Sequence, residues 1–94
     1  MVKHIVMWKL KPENMEENAR AIKNALEALN GRIPGLRSLK VNRCYNGYDL
    51  CLESELDTRE DCAAYGGHPL HQEALKVVLP AVSERVACDY ETED

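Results

Sequence analysis

Tyr65-Gly66-Gly67-His68-Pro69-Leu70-His71 breaks a helical region in two, and it holds two of the chain's three histidines. Pro69 fixes its own φ and drives the preceding His68 out of the α region. Proline also suits the first position of a helix, so a new helix is expected to begin at Pro69. Gly66 and Gly67 are poor helix-interior residues, which predicts that the helix carrying Tyr65 ends there. His68 then stands on the corner and His71 in the first turn of the second helix. Unpaired N–H groups and the helix dipole make that turn mildly electropositive. His71 is therefore expected to stay neutral, as a general base or a hydrogen-bonding imidazole must. The plainer alternative makes His68 a corner residue and His71 a partly buried histidine of the core.

Downstream of the corner, Leu70, Ala74, Leu75, Val77 and Val78 supply the apolar positions of the helix, and Pro80 disfavours its continuation. Ser83 to Tyr90 is the last predicted strand, and Glu91 to Asp94 is an acidic tail expected to fray. Upstream, Thr58 with Asp61 resembles a capping box that starts the short helix running through Cys62 and Ala63 to Tyr65. Before it, Asn46-Gly47 predicts a type I′ turn joining strands Leu36–Tyr45 and Tyr48–Leu56. Leu39 and Val41 share one face of the earlier strand; Leu50, Leu52 and Leu56 share one face of the later.

The first half of the chain completes the pattern. Val2 to Leu10 alternates, with His4, Val6, Trp8 and Leu10 on one face and Ile5 and Met7 on the other beside Lys3 and Lys9. Large apolar groups on both faces call for cover on both, and so short a chain hardly supplies two layers. Asn14 is the expected cap of a helix in which Met15, Ala19, Ile22, Leu26 and Leu29 recur at helical spacing, ended by Asn30-Gly31. Ile33-Pro34-Gly35 connects onward, with carbonyls able to hold a cation weakly. The order is β-α-β-β-α-β, an α+β, ferredoxin-like arrangement with a four-stranded antiparallel sheet and helices on one face.

Composition narrows the function. Ninety-four residues make one domain near the small end for a self-sufficient core, where oligomerisation is a common help. A formal charge of −4 and a pI near 5.4 argue against nucleic acid or an anionic membrane as partner. Met1-Val2-Lys3 leads straight into a strand, and no apolar run reaches membrane-spanning length, so a cytoplasmic protein is expected. Cys44, Cys51, Cys62 and Cys88 lack CxxC spacing and read as reduced apolar residues. Cys44 and Cys51 flank the hairpin diagonally, which argues against a disulfide. Thiols and imidazoles are too scattered in the sequence for a zinc site, so no metal is expected.

Three segments together point to a family. Val2-Lys3-His4-Ile5-Val6, the corner Tyr65-x-x-His68-Pro69-x-His71 and the closing Cys88-Asp89-Tyr90 resemble the stress-responsive dimeric α/β-barrel (Dabb) proteins. The resemblance implies one such domain across residues 1–94 and a homodimeric α/β barrel of two ferredoxin-like subunits, packed sheet against sheet. That pairing would cover Ile5 and Met7. Among the family are plant polyketide cyclases resembling olivetolic acid cyclase, which close a poly-β-ketone by an aldol reaction without metal or organic cofactor. By that resemblance His71 is the base, Tyr65 its partner, and His4 lines the pocket. The chain departs from those cyclases at Leu50, where they carry another pocket histidine.

The first expectation is thus a homodimer that binds a small apolar or carbonyl-containing molecule between sheet and helices, with no cofactor. His4, Val6, Trp8 and His68 are the expected binding residues, with His71 and Tyr65 as the catalytic pair if there is chemistry. A cofactor-free cyclase or aldol-type lyase is the second reading. A cofactor-independent monooxygenase, sharing the dimeric barrel, is the third.

Overall fold

Alternating large residues make Val2–Leu10 a strand, β1, in the computed structural model, which describes residues 1–93. Helix α1 spans Met15–Glu27 and buries Ala19, Ile22 and Leu26. Strands β2 (Leu36–Arg43) and β3 (Leu50–Leu56) follow. Then come helices α2 (Arg59–Gly67) and α3 (Pro69–Val78), a single 3-10 turn at Leu79–Ala81, and strand β4 (Val82–Glu91). The four strands form one antiparallel sheet in the order β2-β3-β1-β4, as the ferredoxin-like reading expects. No helix among the described residues is long and apolar enough to cross a membrane.

Strand periodicity sorts the sheet into two unlike faces. Val2, Val6, Trp8 and Leu10 of β1 are buried toward the helices, with Leu39, Val41, Leu50, Leu52 and Leu56 beside them. Ile22, Leu26 and Val78 close the core from above. On the other face Ile5 lies opposite Cys88 and Glu53, and Met7 opposite Val86 and Cys51. No element among the described residues covers that face, and Val86 and Tyr90 are 40% and 51% exposed there.

The sheet's two edges also differ. Along β2, Asn30 bonds both the N–H and the carbonyl of Leu39 at 2.8 Å. Glu27 accepts the Val41 N–H at 2.9 Å, and Lys23 donates to the Val41 carbonyl at 2.6 Å. Helix α1 and the turn after it thereby occupy the backbone groups that an edge strand otherwise offers to another chain. Strand β4 has no such cover. Its residues from Ser83 to Glu91 are exposed throughout.

Several local expectations change. Asn14 precedes α1, but in the left-handed conformation (φ 55°), and its side chain caps nothing. The helix ends at Glu27 rather than Asn30, because Asn30 turns to β2 and also donates to the Glu27 carbonyl. The hairpin forms, though not through a two-residue type I′ turn. Gly47 has positive φ and Asn46 does not, and the paired strands stop at Arg43 and Leu50. Asp49 explains the wider loop: its N–H donates to the Trp8 carbonyl at 2.9 Å, and its carboxylate accepts the Leu10 N–H at 2.8 Å. The loop is tied to the end of β1 at the expense of a tight turn.

Of the connector carbonyls considered for a cation, Ile33 accepts from Leu36 N–H and Gly35 from Asp57 N–H, so both serve the turn. All four cysteines are free. Glu91 belongs to β4 and the Thr92 N–H donates to the Met1 carbonyl at 2.9 Å, so the tail begins later than expected. Its last residue, Asp94, lies outside the described residues.

Candidate functional site

Pro69 organises the corner as its chemistry requires. His68 is extended (φ −65°, ψ 136°), and its Nδ1 accepts the Leu70 N–H at 3.1 Å, so it caps α3. Thr58 caps α2: its hydroxyl accepts the Asp61 N–H at 3.0 Å. Helix α2 carries Tyr65 and ends at the glycine pair, with Gly67 its last residue. The next helix supplies what the α2 C-terminus lacks, since the Gly66 carbonyl accepts from His71 Nδ1 at 3.0 Å and Gln72 Nε2 at 2.7 Å.

That bond settles the tautomer of His71. A carbonyl cannot donate, so Nδ1 carries the proton, and Nε2 of the neutral ring keeps its lone pair. Burial pushes the His71 pKa below the ordinary imidazole value, against the pull of the Gly66 carbonyl. The positive charge of Arg85 lowers it further. The sequence argument for a neutral ring rested on the helix terminus; burial is the larger cause here.

Tyr65 lies against this imidazole, ring centroids 4.5 Å apart, and edge-on to His4 at 6.0 Å. It is 2% exposed, and its hydroxyl is buried without a hydrogen-bond partner among the described residues. Burial raises its pKa, so the phenol stays protonated and can donate. A buried donor left unpaired in a native fold needs a reason, and an absent ligand is one.

All three residues border a cavity of about 530 Å³ on the helix-facing side of the sheet, at the β4 end. Val2 and His4 of β1 form its floor, Arg59 and Cys62 of α2 one wall, and Arg85 and Asp89 of β4 the other. His4 Nδ1 donates to Asp89, its partner across the β1–β4 ladder. Arg59 pairs with Glu91 at the rim. Burial and the Asp89 charge raise the Cys62 thiol pKa, so the free thiol is no activated nucleophile.

The fold therefore gathers Tyr65, His71 and His4, and leaves three expected residues out. Val6 and Trp8 share the His4 face but are sealed in the core, at 2% and 4% exposure, and do not line the cavity. His68 spends its ring on the α3 cap and does not line it either. Leu50 is also absent from the lining; it is buried beside Glu16 and Arg43, bordering a smaller cavity of about 210 Å³. Sequence reasoning missed Asp89, Arg85, Arg59 and Cys62. The closing Cys88-Asp89-Tyr90 was noticed only as a family mark, and its pairing with His4 depends on a register that sequence spacing does not reveal.

A metal reading also changes in space. His4, Cys62 and Asp89, far apart in sequence, each bring a ligand atom within 4.8 Å of the other two.

A family model for the stress responsive A/B barrel domain matches residues 2–92. The chain belongs to that family. Among solved structures, this A/B barrel domain is 32% identical to a dimeric protein of unknown function and ferredoxin-like fold from Bacteroides fragilis. The match has a TM-score of 0.88 and covers 97% of this chain and 95% of that one. A dimeric ferredoxin-like protein of unknown function from Thermobifida fusca is 24% identical, with a TM-score of 0.85 over 97% of this chain and 90% of its own. A hydroxynitrile lyase from Passiflora edulis is 20% identical, with a TM-score of 0.84 over 99% of this chain and 94% of its own. The latter two share the fold. No curated protein matches the chain.

Proposed function

We propose that this domain works as a homodimer that binds a small carbonyl compound in the cavity and moves a proton next to the carbonyl. The observation that carries the reading is the Tyr65 hydroxyl, a buried, protonated donor with no partner among the described residues, set against an imidazole whose Nε2 is uncommitted there. A carbonyl oxygen at Tyr65 would receive the missing hydrogen bond and place its α-carbon within reach of His71. Nε2 then takes the α-proton, and the enolate oxygen is held by the Tyr65 hydroxyl. The proton returns to carbon, or the enolate carbon attacks a second carbonyl, as in an aldol closure, and the alkoxide so formed takes the proton back from His71. Both groups belong to the chain, so the step calls for no cofactor. The likeness in fold to a hydroxynitrile lyase supports a lyase-type reading. The dimeric Bacteroides fragilis relative supports the homodimer, as does the uncovered sheet face bearing Ile5 and Met7.

Acetophenone in deuterium oxide tests the chemistry without knowledge of the natural substrate. The protein is expected to speed loss of the methyl proton signal, His71→Ala to abolish the acceleration, and Tyr65→Phe to reduce it by about 10²-fold, the low end for an oxyanion donor. Acceleration that survives in His71→Ala would overturn the assignment of the base.

A further inference from the structure

We propose that His4, Cys62 and Asp89 form a binding site for a zinc-type divalent ion in the cavity wall. Each ligand comes from a different element: His4 from β1, Cys62 from α2 and Asp89 from β4. Register places His4 opposite Asp89, and α2 lays Cys62 beside them, so the set is held by the fold and not by a flexible loop. Their ligand atoms all lie within 4.8 Å of one another. Zinc bonds of about 2.0–2.3 Å put tetrahedral ligands roughly 3.3–3.6 Å apart. The trio therefore reaches zinc geometry with side-chain adjustments of about 1 Å, chiefly by opening the His4–Asp89 contact around the ion.

The donor types select the metal. One nitrogen, one sulfur and one oxygen suit zinc and its neighbours, whereas magnesium and calcium demand oxygen shells. A Cys62 thiolate and an Asp89 carboxylate balance the double positive charge, and the thiol proton leaves as the ion binds. Three protein ligands leave a fourth position for water or a ligand oxygen. All three side chains border the same cavity as Tyr65 and His71, so that position opens toward them. The site shares the cavity with the proposed base but none of its two residues, and the two readings stand or fall separately.

Cobalt(II) is the probe. Untagged, chelator-stripped protein is titrated and thiolate-to-cobalt charge transfer is followed by absorbance, with zinc then added to displace it. One equivalent per chain is expected, with a charge-transfer band that zinc abolishes. Cys62→Ser should lose the band, while Cys88→Ser, a change outside the cavity lining, should keep it. Asp89→Asn should keep the thiolate but bind at least about tenfold more weakly, the smallest loss typical even for an outer-shell partner. His71→Ala should keep the band, which separates this site from the proton-transfer reading. No band at stoichiometric cobalt would overturn the proposal, as would a band that persists in Cys62→Ser. Circular dichroism of each variant confirms that it is folded, and Asp89→Asn carries the test if Cys62→Ser is not.

Discussion

His68 and His71 are three residues apart, and the difference between their tasks is a matter of which ring nitrogen is spent. His68 uses its Nδ1 on the helix cap, whereas His71 uses Nδ1 to close the preceding helix and leaves Nε2 uncommitted. His68→Ala should therefore cost about 1 kcal/mol, as lost caps do, and leave ligand binding intact. His71→Ala should abolish proton exchange yet cost only about 1 kcal/mol, because Gln72 still donates to the Gly66 carbonyl. Urea denaturation beside the exchange assay separates the two, and equal loss of exchange in both variants would refute the division.

The pH response has a definite sign. In the folded protein the His71 pKa lies below its ordinary 6.5. Above 6.5 both folded and unfolded rings are neutral. As pH falls below it, the unfolded chain takes up the proton first, so stability declines until the folded value is passed. The decline should be shallower in His71→Gln, read from melting temperature against pH, and the acid limb of exchange should fall below pH 6.5 in the native protein. An equal slope in the two proteins would contradict a buried, neutral His71. This part of the site was legible in the sequence, because the proline rule acts on neighbouring residues alone. Asp89 and Cys62 were not, since they reach His4 only through strand register and helix docking.

Among the elements, the connector before β2 is held more tightly than the hairpin loop after it. Gly35 has φ +82°, and a Cβ there would run into the side chain of Asp61, the residue that completes the α2 cap. Gly31 has φ +77°, but a Cβ would meet nothing within 4 Å. Gly31→Ala should thus cost about 1 kcal/mol from backbone strain alone. Gly35→Ala should cost about 2–3 kcal/mol, adding the disturbed cap to the strain. Equal denaturation midpoints for the two would show that Asp61 moves aside freely. Helix and strand types were readable from periodicity, as were the bounds of Val2–Leu10 and the start of α3 at Pro69. The end of α1 and the inner ends of the hairpin strands were not. Asn30 and Asp49 moved the ends, each by bonding to a strand distant in sequence, and a local rule for Asn-Gly cannot anticipate such a partner.

For the whole molecule, the contrast between the sheet's faces governs assembly. The apolar strip of Ile5, Met7 and Val86 is flanked by Lys3–Glu55 and by Lys40 opposite Glu53, a polar margin around an apolar centre. Ile5→Asp puts a charge at that centre and should convert the proposed dimer to monomer in light scattering at micromolar concentration. A native protein that is already monomeric there would sink the assembly reading. The uncovered sheet face was foreseeable from Val2–Leu10, because a strand apolar on both sides announces a missing layer. The open β4 edge was not, for nothing in the sequence tells that α1 guards only β2.

Strand β4 joins the molecule chiefly through its ladder to β1, and it also forms one wall of the cavity. A small molecule held between α2 and β4 touches only those molecules in which β4 is docked, so occupancy and docking share one equilibrium. Any cavity ligand then acts as a fastener for the strand. Deuterium uptake makes the link visible: backbone amides of β4 should exchange more slowly as ligand is added, while those of β2, already tied down by α1, keep the same pace.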